Sequence, residues 1–380
     1  MRFRHERIDA NPPAGRMSFC LTTDLTGNGL PDVLVGALGG RYPVTLPILD
    51  KPISLRALPG TRELIHQLET NVFWYENPGW ERHEVGHAPN LSVGGTFADL
   101  TGDGSQDLLT GQNLDTDLYW FEQPDDPRER WTRRLITNDF EKFHDIVVGD
   151  VDNDSEDEVV VLSQRSEVIF YYDIPEDPSW EPWPETNRHV IAEDIYVEGA
   201  AIADVDGDGE NELVAGPNIF RQCDGRWERE EFAPGWQWTR VAVADVDDDG
   251  APEILLTEGD RPYNGDQPGR LGVFDPADDS LTVLRDGLSN PHTLQVADFD
   301  GDGRLDICVA EMGLDGYKEP EVTVLSRRDD NFDFVETCLS RGIPTHEAKA
   351  VDLTGDGLPD LVGKSYSPTR HVDVWHNETR

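Results

Sequence analysis

Lysine is nearly missing from this chain: five occur in 380 residues (Lys51, Lys142, Lys318, Lys349 and Lys364). Lys and Arg together number 32 against 76 Asp and Glu, a formal net charge of -44. Such a surface repels phosphate backbones and anionic head groups, which excludes nucleic acid and membranes as partners. Self-repulsion on this scale opposes a compact state unless salt screens it or bound cations offset it, so a high-salt organism is the expected source. Cysteine is scarce too. Cys20, Cys223, Cys308 and Cys338 have no zinc-knuckle or disulfide-framework spacing and read as free thiols. Long apolar runs are absent, and the opening MRFRHERIDANPPAGRMSF lacks the apolar core of a secretory signal. The expectation is a soluble, cytoplasmic protein.

What the chain does have is repetition. A nine-residue acidic loop returns seven times: DLTGNGLPD from Asp24, DLTGDGSQD from Asp99, DVDNDSEDE from Asp150, DVDGDGENE from Asp204, DVDDDGAPE from Asp245, DFDGDGRLD from Asp298 and DLTGDGLPD from Asp352. Short β-branched runs flank each loop (IVVGD and EVVVLS, VAVAD and EILLTE), so the loop joins two strands. A third run (NVFWYEN, DLYWFEQ, VIFYYD) and a fourth (WERHEVG, WTRRLIT, NRHVIAE) complete a unit. Four strands in each of seven units predict an all-β fold, a seven-bladed β-propeller occupying residues 1–380. The last unit stops after its third strand, HVDVWHN, while the chain opens on a fourth-strand sequence, FRHERID; the N-terminal strand is therefore expected to close the last blade. The insertion between Gly39 and Asn71 includes TRELIHQLE, a candidate short helix that could act as a lid.

Oxygens at positions one, three, five and nine of the loop, with glycine at six for a left-handed turn, can wrap one hard cation. A strand, not a helix, follows. The arrangement resembles the FG-GAP or VCBS repeat family of calcium-binding propellers, the architecture of integrin α-chain heads, along essentially the whole chain. The resemblance implies several Ca2+ sites. Three loops keep four carboxylates: Asp204, Asp206, Asp208, Glu212; Asp245, Asp247, Asp249, Glu253; and Asp298, Asp300, Asp302, Asp306. A fourth keeps Asp150, Asp152, Asp154 and Glu158 but has Ser155 at the glycine position, a strained choice at positive φ. Two loops put threonine at position three (Asp99, Thr101, Asp103, Asp107; Asp352, Thr354, Asp356, Asp360), and the first also puts asparagine at five (Asp24, Thr26, Asn28, Asp32). Their lower charge predicts weaker binding.

Six residues before each leading aspartate stands Ser18, Val93, His144, Glu198, Thr239, His292 or His346. Three histidines and a glutamate share this column. It marks the start of the innermost strand, so these side chains should ring one open mouth of the central channel, opposite the cation loops. The second strands end on the same face with Gln112, Glu258 and Glu311, and with Lys364 and Ser365 in the last blade. The following loops carry Tyr263, Asp315, Tyr317, Tyr366 and Arg370. The candidate catalytic set is thus His144, His292, His346, Glu198, Glu258, Glu311, Lys364, Tyr263 and Tyr317, with a further divalent metal as a candidate cofactor at the mouth. By contrast, His5, His83 and His189 recur on the outer strand and read as a solvated edge, and the aromatics of NVFWYEN and DLYWFEQ read as blade packing.

The W-Y-E-N-P-G and R-H-V-I phrases resemble the propeller part of aldos-2-ulose dehydratases and, more distantly, propeller-type polysaccharide lyases. That resemblance implies a lyase or dehydratase performing β-elimination on a sugar or uronate, with His, Tyr or Lys as base and His with Glu holding a metal. The dehydratases' cupin portion is absent. The alternative is a non-catalytic module whose mouth recognises a glycan or protein, as integrin heads do. Either way the expected ligand is a small molecule or an oligosaccharide.

Overall fold

The computed structural model describes residues 1–38, 43–45, 52–54, 70–314, 316–327 and 334–379. Seven four-stranded antiparallel sheets stand around a central channel. Their innermost strands are Met17–Thr23, Leu91–Ala98, Phe143–Gly149, Ala200–Ala203, Thr239–Ala244, Thr293–Ala297 and Glu347–Val351. Each packs beside the next, and the first packs beside the last, so the ring is closed. Among the described residues the only helix is a single 3-10 turn, Glu185–Asn187, and no helix is long and apolar enough to cross a membrane.

Closure comes from the N-terminus. Phe3–Asp9 pairs antiparallel with Val372–Asn377 as the outer strand of blade seven. The seam is also ionic: Arg7 Nε and His5 Nε2 reach Asp373 Oδ1 at 2.8 and 2.7 Å, and His371 holds the other oxygen. Asp373 is buried.

The apolar side chains form seven clusters, each shared by two consecutive blades. Strand alternation produces this. In Val72–Glu76, Val72 and Trp74 pack toward blade two, whereas Phe73 and Tyr75 pack toward blade seven. Strands buried on both faces read as continuous apolar runs, which is why VFWYE and LYWFE are almost uninterrupted. Outer strands such as Arg226–Glu231 are mostly exposed and charged, which protects the rim from edge-to-edge pairing.

Within the insertion, Pro43–Thr45 pairs with Pro52–Ser54. The TRELIHQLE segment lies outside the described residues. All four cysteines are free, Cys20 and Cys308 buried and Cys223 and Cys338 exposed.

Candidate functional site

The seven loops are built alike. Residue six is left-handed in every one, with φ of 88° at Gly29 and Gly104, 92° at Gly209, 95° at Gly250, 90° at Gly303, 91° at Gly357 and 77° at Ser155. Its N–H donates to the leading aspartate in all seven, from 2.7 Å at Gly29 to 3.1 Å at Ser155 and Gly250. The carboxylate at nine accepts the N–H of residue two in all seven. The turn is therefore closed by its own acids, and the loops differ in the oxygens left over.

In four loops carboxylate oxygens converge to within 4.8 Å of one another: Asp245, Asp247, Asp249 and Glu253; Asp150, Asp152 and Glu158; Asp204, Asp206 and Glu212; Asp298, Asp300 and Asp302. Buried oxygens without a hydrogen-bond partner fall in the same group, on Asp150, Asp152, Asp245 and Asp300. A buried anionic oxygen facing other carboxylates is stabilised by a cation between them, so these residues fit one. Asp154, Asp208 and Asp306 stand in the same loops but outside the converging sets. In the threonine loops both oxygens of residue nine are taken. Asp32, Asp107 and Asp360 accept a second N–H from Asn77, Gln123 and Asn377 at 2.8, 2.9 and 2.7 Å. No convergence is found there among the described residues. Sequence spacing treated these seven ninth positions as equivalent, but the shorter aspartate at 32, 107 and 360 lies against the third strand and is satisfied by it.

At the other end of the channel a cavity of about 400 Å³ is lined by His144, His292 and His346 together with Ser18 and Val93 of the same column. The histidines are 5%, 4% and 2% exposed, so they form the floor of the cavity and not an open rim, a correction to the sequence reading. Inner strands converge at this end, and neighbouring side chains shield one another. His292 stacks on His346 with centroids 4.1 Å apart, and Tyr366 stacks on His346 at 4.7 Å.

Glu198, fully buried, lies behind the lining, beside His144. Ligating atoms of His144, Glu198 and His292 lie within 4.8 Å of one another. His144 Nδ1 donates to the Glu198 carbonyl at 3.1 Å, leaving Nε2 as the unprotonated nitrogen, 3.8 Å from Glu198 Oε1. Gln164 donates to that oxygen at 2.7 Å, while Glu198 Oε2 and His292 Nδ1 are buried without a partner. Burial holds all three histidines of the column well below their ordinary value, hence neutral, and raises Glu198 to about 8. Two neutral imidazoles, a carboxylate with a spare oxygen and an adjoining cavity constitute a three-ligand site with open positions, which fits a divalent metal.

His346 stands apart from that trio. Lys364, fully buried, directs its three N–H groups at the Met17 carbonyl, the Ser18 carbonyl and His346 Nδ1. This leaves Nε2 as the protonated nitrogen of His346. Burial lowers Lys364 to about 7.

Glu258 and Glu311 do not reach the cavity. Glu258 is held by Arg270 at 2.8 and 3.0 Å and by Arg261 at 3.1 Å; Glu311 accepts from the Ser289 and Glu321 N–H groups and pairs with Lys318 at 2.7 Å. Their column anchors loops throughout the ring, since Gln112 and Ser163 likewise bind backbone at Pro89 and Glu141. Tyr263 lines the cavity and is 60% exposed; Tyr317 is exposed outside it, and Asp315 lies outside the described residues. Among the outer-strand histidines, His189 stacks on Tyr171 and is half exposed, whereas His83 packs tilted against Trp74 and is more buried.

Sequence reasoning missed Asp260, Lys142, Tyr196 and Gln164. Asp260 lines the cavity two residues beyond Glu258, with Asn264 donating to its Oδ2 at 2.8 Å, and burial raises its carboxyl. Lys142 precedes His144 by two residues and lies 6.0 Å from the Tyr196 ring centroid. Lys142 stands eight residues before Asp150, at the position Arg16 holds in blade one, a column the sequence reading did not compare, whereas Tyr196 and Asp260 lie in loops between strands and Gln164 directly follows one.

Among known proteins, the FG-GAP-like repeat matches residues 298–363, a stretch containing two of the nine-residue loops. No curated protein matches the chain. Among solved structures, an ancestral GH74 enzyme superposes with a TM-score of 0.61 at 10% identity, over 100% of this chain and 52% of its own, so the chain spans about half that enzyme's length. The periplasmic gluconolactonase PpgL of Pseudomonas aeruginosa gives a TM-score of 0.47 at 13% identity over 85% and 84% of the two chains. The V. cholerae biofilm matrix protein Bap1 gives 0.43 at 12% over 96% and 68%. The chain is a seven-bladed β-propeller with an FG-GAP-like repeat at residues 298–363.

Proposed function

We propose that the protein is a cation-stabilised enzyme whose channel mouth performs β-elimination on a sugar or sugar acid, as a lyase or dehydratase. The observation that carries this reading is the convergence of His144 and His292, which line a cavity of about 400 Å³, with the buried Glu198 behind them, one of whose oxygens is left unpartnered. A divalent metal held there supplies Lewis acidity toward a carbonyl or carboxylate oxygen. Asp260, its carboxyl raised by burial, takes the proton from the carbon beside that carbonyl. The C–H electron pair becomes the new double bond while the β carbon–oxygen bond breaks. The leaving oxygen takes the Nε2 proton of His346, and Lys364, lowered to about 7, passes a proton to Nδ1. One water or alcohol leaves, and solvent returns the protons. Calcium in the loops at Asp150, Asp204, Asp245 and Asp298 stabilises the ring in this reading.

The test is element-specific metal analysis of the full-length protein beside Glu198→Gln and His292→Ala, with keto-sugars and uronate oligosaccharides screened for the absorbance of a new conjugated double bond. A transition metal lost in both variants, together with metal-dependent turnover, supports the enzyme. Calcium alone, unaffected by either change and with no turnover, supports the second reading, a glycan-recognition module. The exposed Tyr196 and Tyr263 at the cavity, 47% and 60% accessible, favour that reading, because exposed rings stack on sugars without chemistry.

A further inference from the structure

We infer that the ligand of this mouth carries a carboxylate, held by Arg16 and Lys142 with Arg165 beside them. The inference rests on the cavity being the substrate site, and it adds the substrate's chemical class.

Charge is inverted at the mouth. Acids outnumber bases 76 to 32 in the chain, yet the cavity lining carries Arg16, Lys142 and Arg165 against Asp260 alone. In so acidic a protein most cations find a carboxylate, as Arg128 does at Glu76, Arg134 at Glu122 and Arg188 at Asp139. Arg16 and Lys142 have none within ion-pair distance among the described residues. Arg16 instead lies over the Tyr366 ring, 5.3 Å from its centroid, and Lys142 faces Tyr196. Arg165 reaches Glu141 only at 3.4 Å.

The backbone supports the same assignment. Arg16 and Lys142 stand at one position of the repeat, eight residues before Asp24 and Asp150, and both are left-handed, with φ of 62° and 60°. The corresponding residue of blade six is Asn290, φ 55°, a type that tolerates this region. Long side chains adopt it only with strain. Two blades keep that conformation, and both place on the cavity a cation with no carboxylate within ion-pair distance among the described residues, although Lys142 lies in the field of Glu198 and Asp260.

A carboxylate takes the guanidinium fork of Arg16 or the Lys142 ammonium with charge-assisted hydrogen bonds. Neutralising it there acidifies the adjacent C–H, which elimination requires. The exposed tyrosines suit a sugar ring. A dianionic phosphate would meet more repulsion from Asp260 and Glu198 than a singly charged carboxylate does.

The test is calorimetric titration of the metal-loaded full-length protein with glucuronate, galacturonate and gluconate beside glucose, galactose, the methyl ester of glucuronate and glucose 6-phosphate. At least one acid should bind ten-fold or more tighter than its neutral counterpart. Arg16→Gln and Lys142→Gln should each weaken that acid ten-fold or more and leave the neutral sugar unchanged, and Lys142→Arg should restore binding. The inference is overturned if no acid exceeds its neutral counterpart, if the phosphate exceeds every acid, or if the variants weaken acid and neutral sugar alike. Charge-dependent binding without metal or turnover keeps this inference and removes the enzyme. Turnover of a neutral keto-sugar, indifferent to Arg16→Gln and Lys142→Gln, does the reverse.

Discussion

The two ends of the channel treat the repeat in opposite ways. At the loop end, seven copies keep one turn, closed each time by the leading aspartate and the ninth carboxylate. At the mouth, one column holds Ser18, Val93, His144, Glu198, Thr239, His292 and His346, and only four of the seven are ionisable. Repetition builds a scaffold, because each blade meets the same neighbours. A site for an asymmetric ligand requires that the blades differ, and here blades three to seven supply its chemistry: His144, Glu198, Asp260, His292, His346 and Lys364.

The largest expected effect tests the ring on which both ends depend. Deleting residues 1–9 removes the outer strand of blade seven and strips Asp373 of Arg7 and His5. An under-compensated buried carboxylate and an exposed strand edge together should abolish the cooperative folded monomer. A truncated protein that stays monodisperse and melts like the full chain would show that the seam is dispensable.

Next comes the division among the loops. A chelator at constant high salt should lower Tm by about 10 °C or more, because in the proposed reading the four converging loops bind cations in the native state alone. Asp247→Asn, in a converging loop, should remove part of that chelator-sensitive increment; Asp356→Asn, in a threonine loop, should not. Equal losses from the two would erase the distinction between loop types.

This division explains what the sequence could and could not disclose. Blade number, strand order and closure follow from spacing, because fixed-period strands must stack and FRHERID must complete HVDVWHN. Loop geometry was equally legible, including the left-handed Ser155. The leftover oxygens were not: whether Asp360 faces a cation or the Asn377 N–H depends on a side chain one carbon shorter than glutamate. At the mouth the column names His144, Glu198 and His292, which the structure brings together, whereas Glu258 and Glu311 are held away from the cavity. A carboxylate at a strand end can turn either to the channel or to neighbouring donors, arginines for Glu258 and Lys318 with backbone N–H groups for Glu311, and spacing does not distinguish the two. Asp260 lies in a loop between strands, outside the columns compared, and Lys142 belongs to a column, eight residues before the leading aspartate, that the sequence reading did not compare.

A middle-sized effect distinguishes the histidines. His346→Ala removes a ring stacked between His292 and Tyr366 and leaves Lys364 buried with one acceptor fewer. The cost should be about 2 kcal/mol, read as a drop in Tm, because buried polar partners are expensive to orphan. Metal content should be unchanged, as His346 is outside the converging trio. His144→Ala should instead lose the metal. Equal metal loss in both variants would merge the roles assigned to them.

The smallest effect is a dependence on pH that changes sign with calcium. Without a cation, burial raises Glu158 and Glu253 of the converging loops to about 7 and Asp306 to about 6. An acid whose folded value lies above its unfolded one contributes stability that is full below the unfolded value, near 4, and is lost as pH rises through the folded value. Chelated protein should therefore gain Tm as pH falls from 8 toward 6.5. Below 6.5 the three buried histidines oppose the trend: their folded values are depressed, so the unfolded chain takes up protons first and stability falls. The chelated protein should thus be most stable slightly below neutrality. With calcium bound the loop carboxylates are held ionised, and Tm should instead fall steadily from pH 8 as protons compete for the ligands. Thermal scans at fixed high salt, with chelator and with calcium, check both signs, and parallel profiles would show that the loop acids bind no cation.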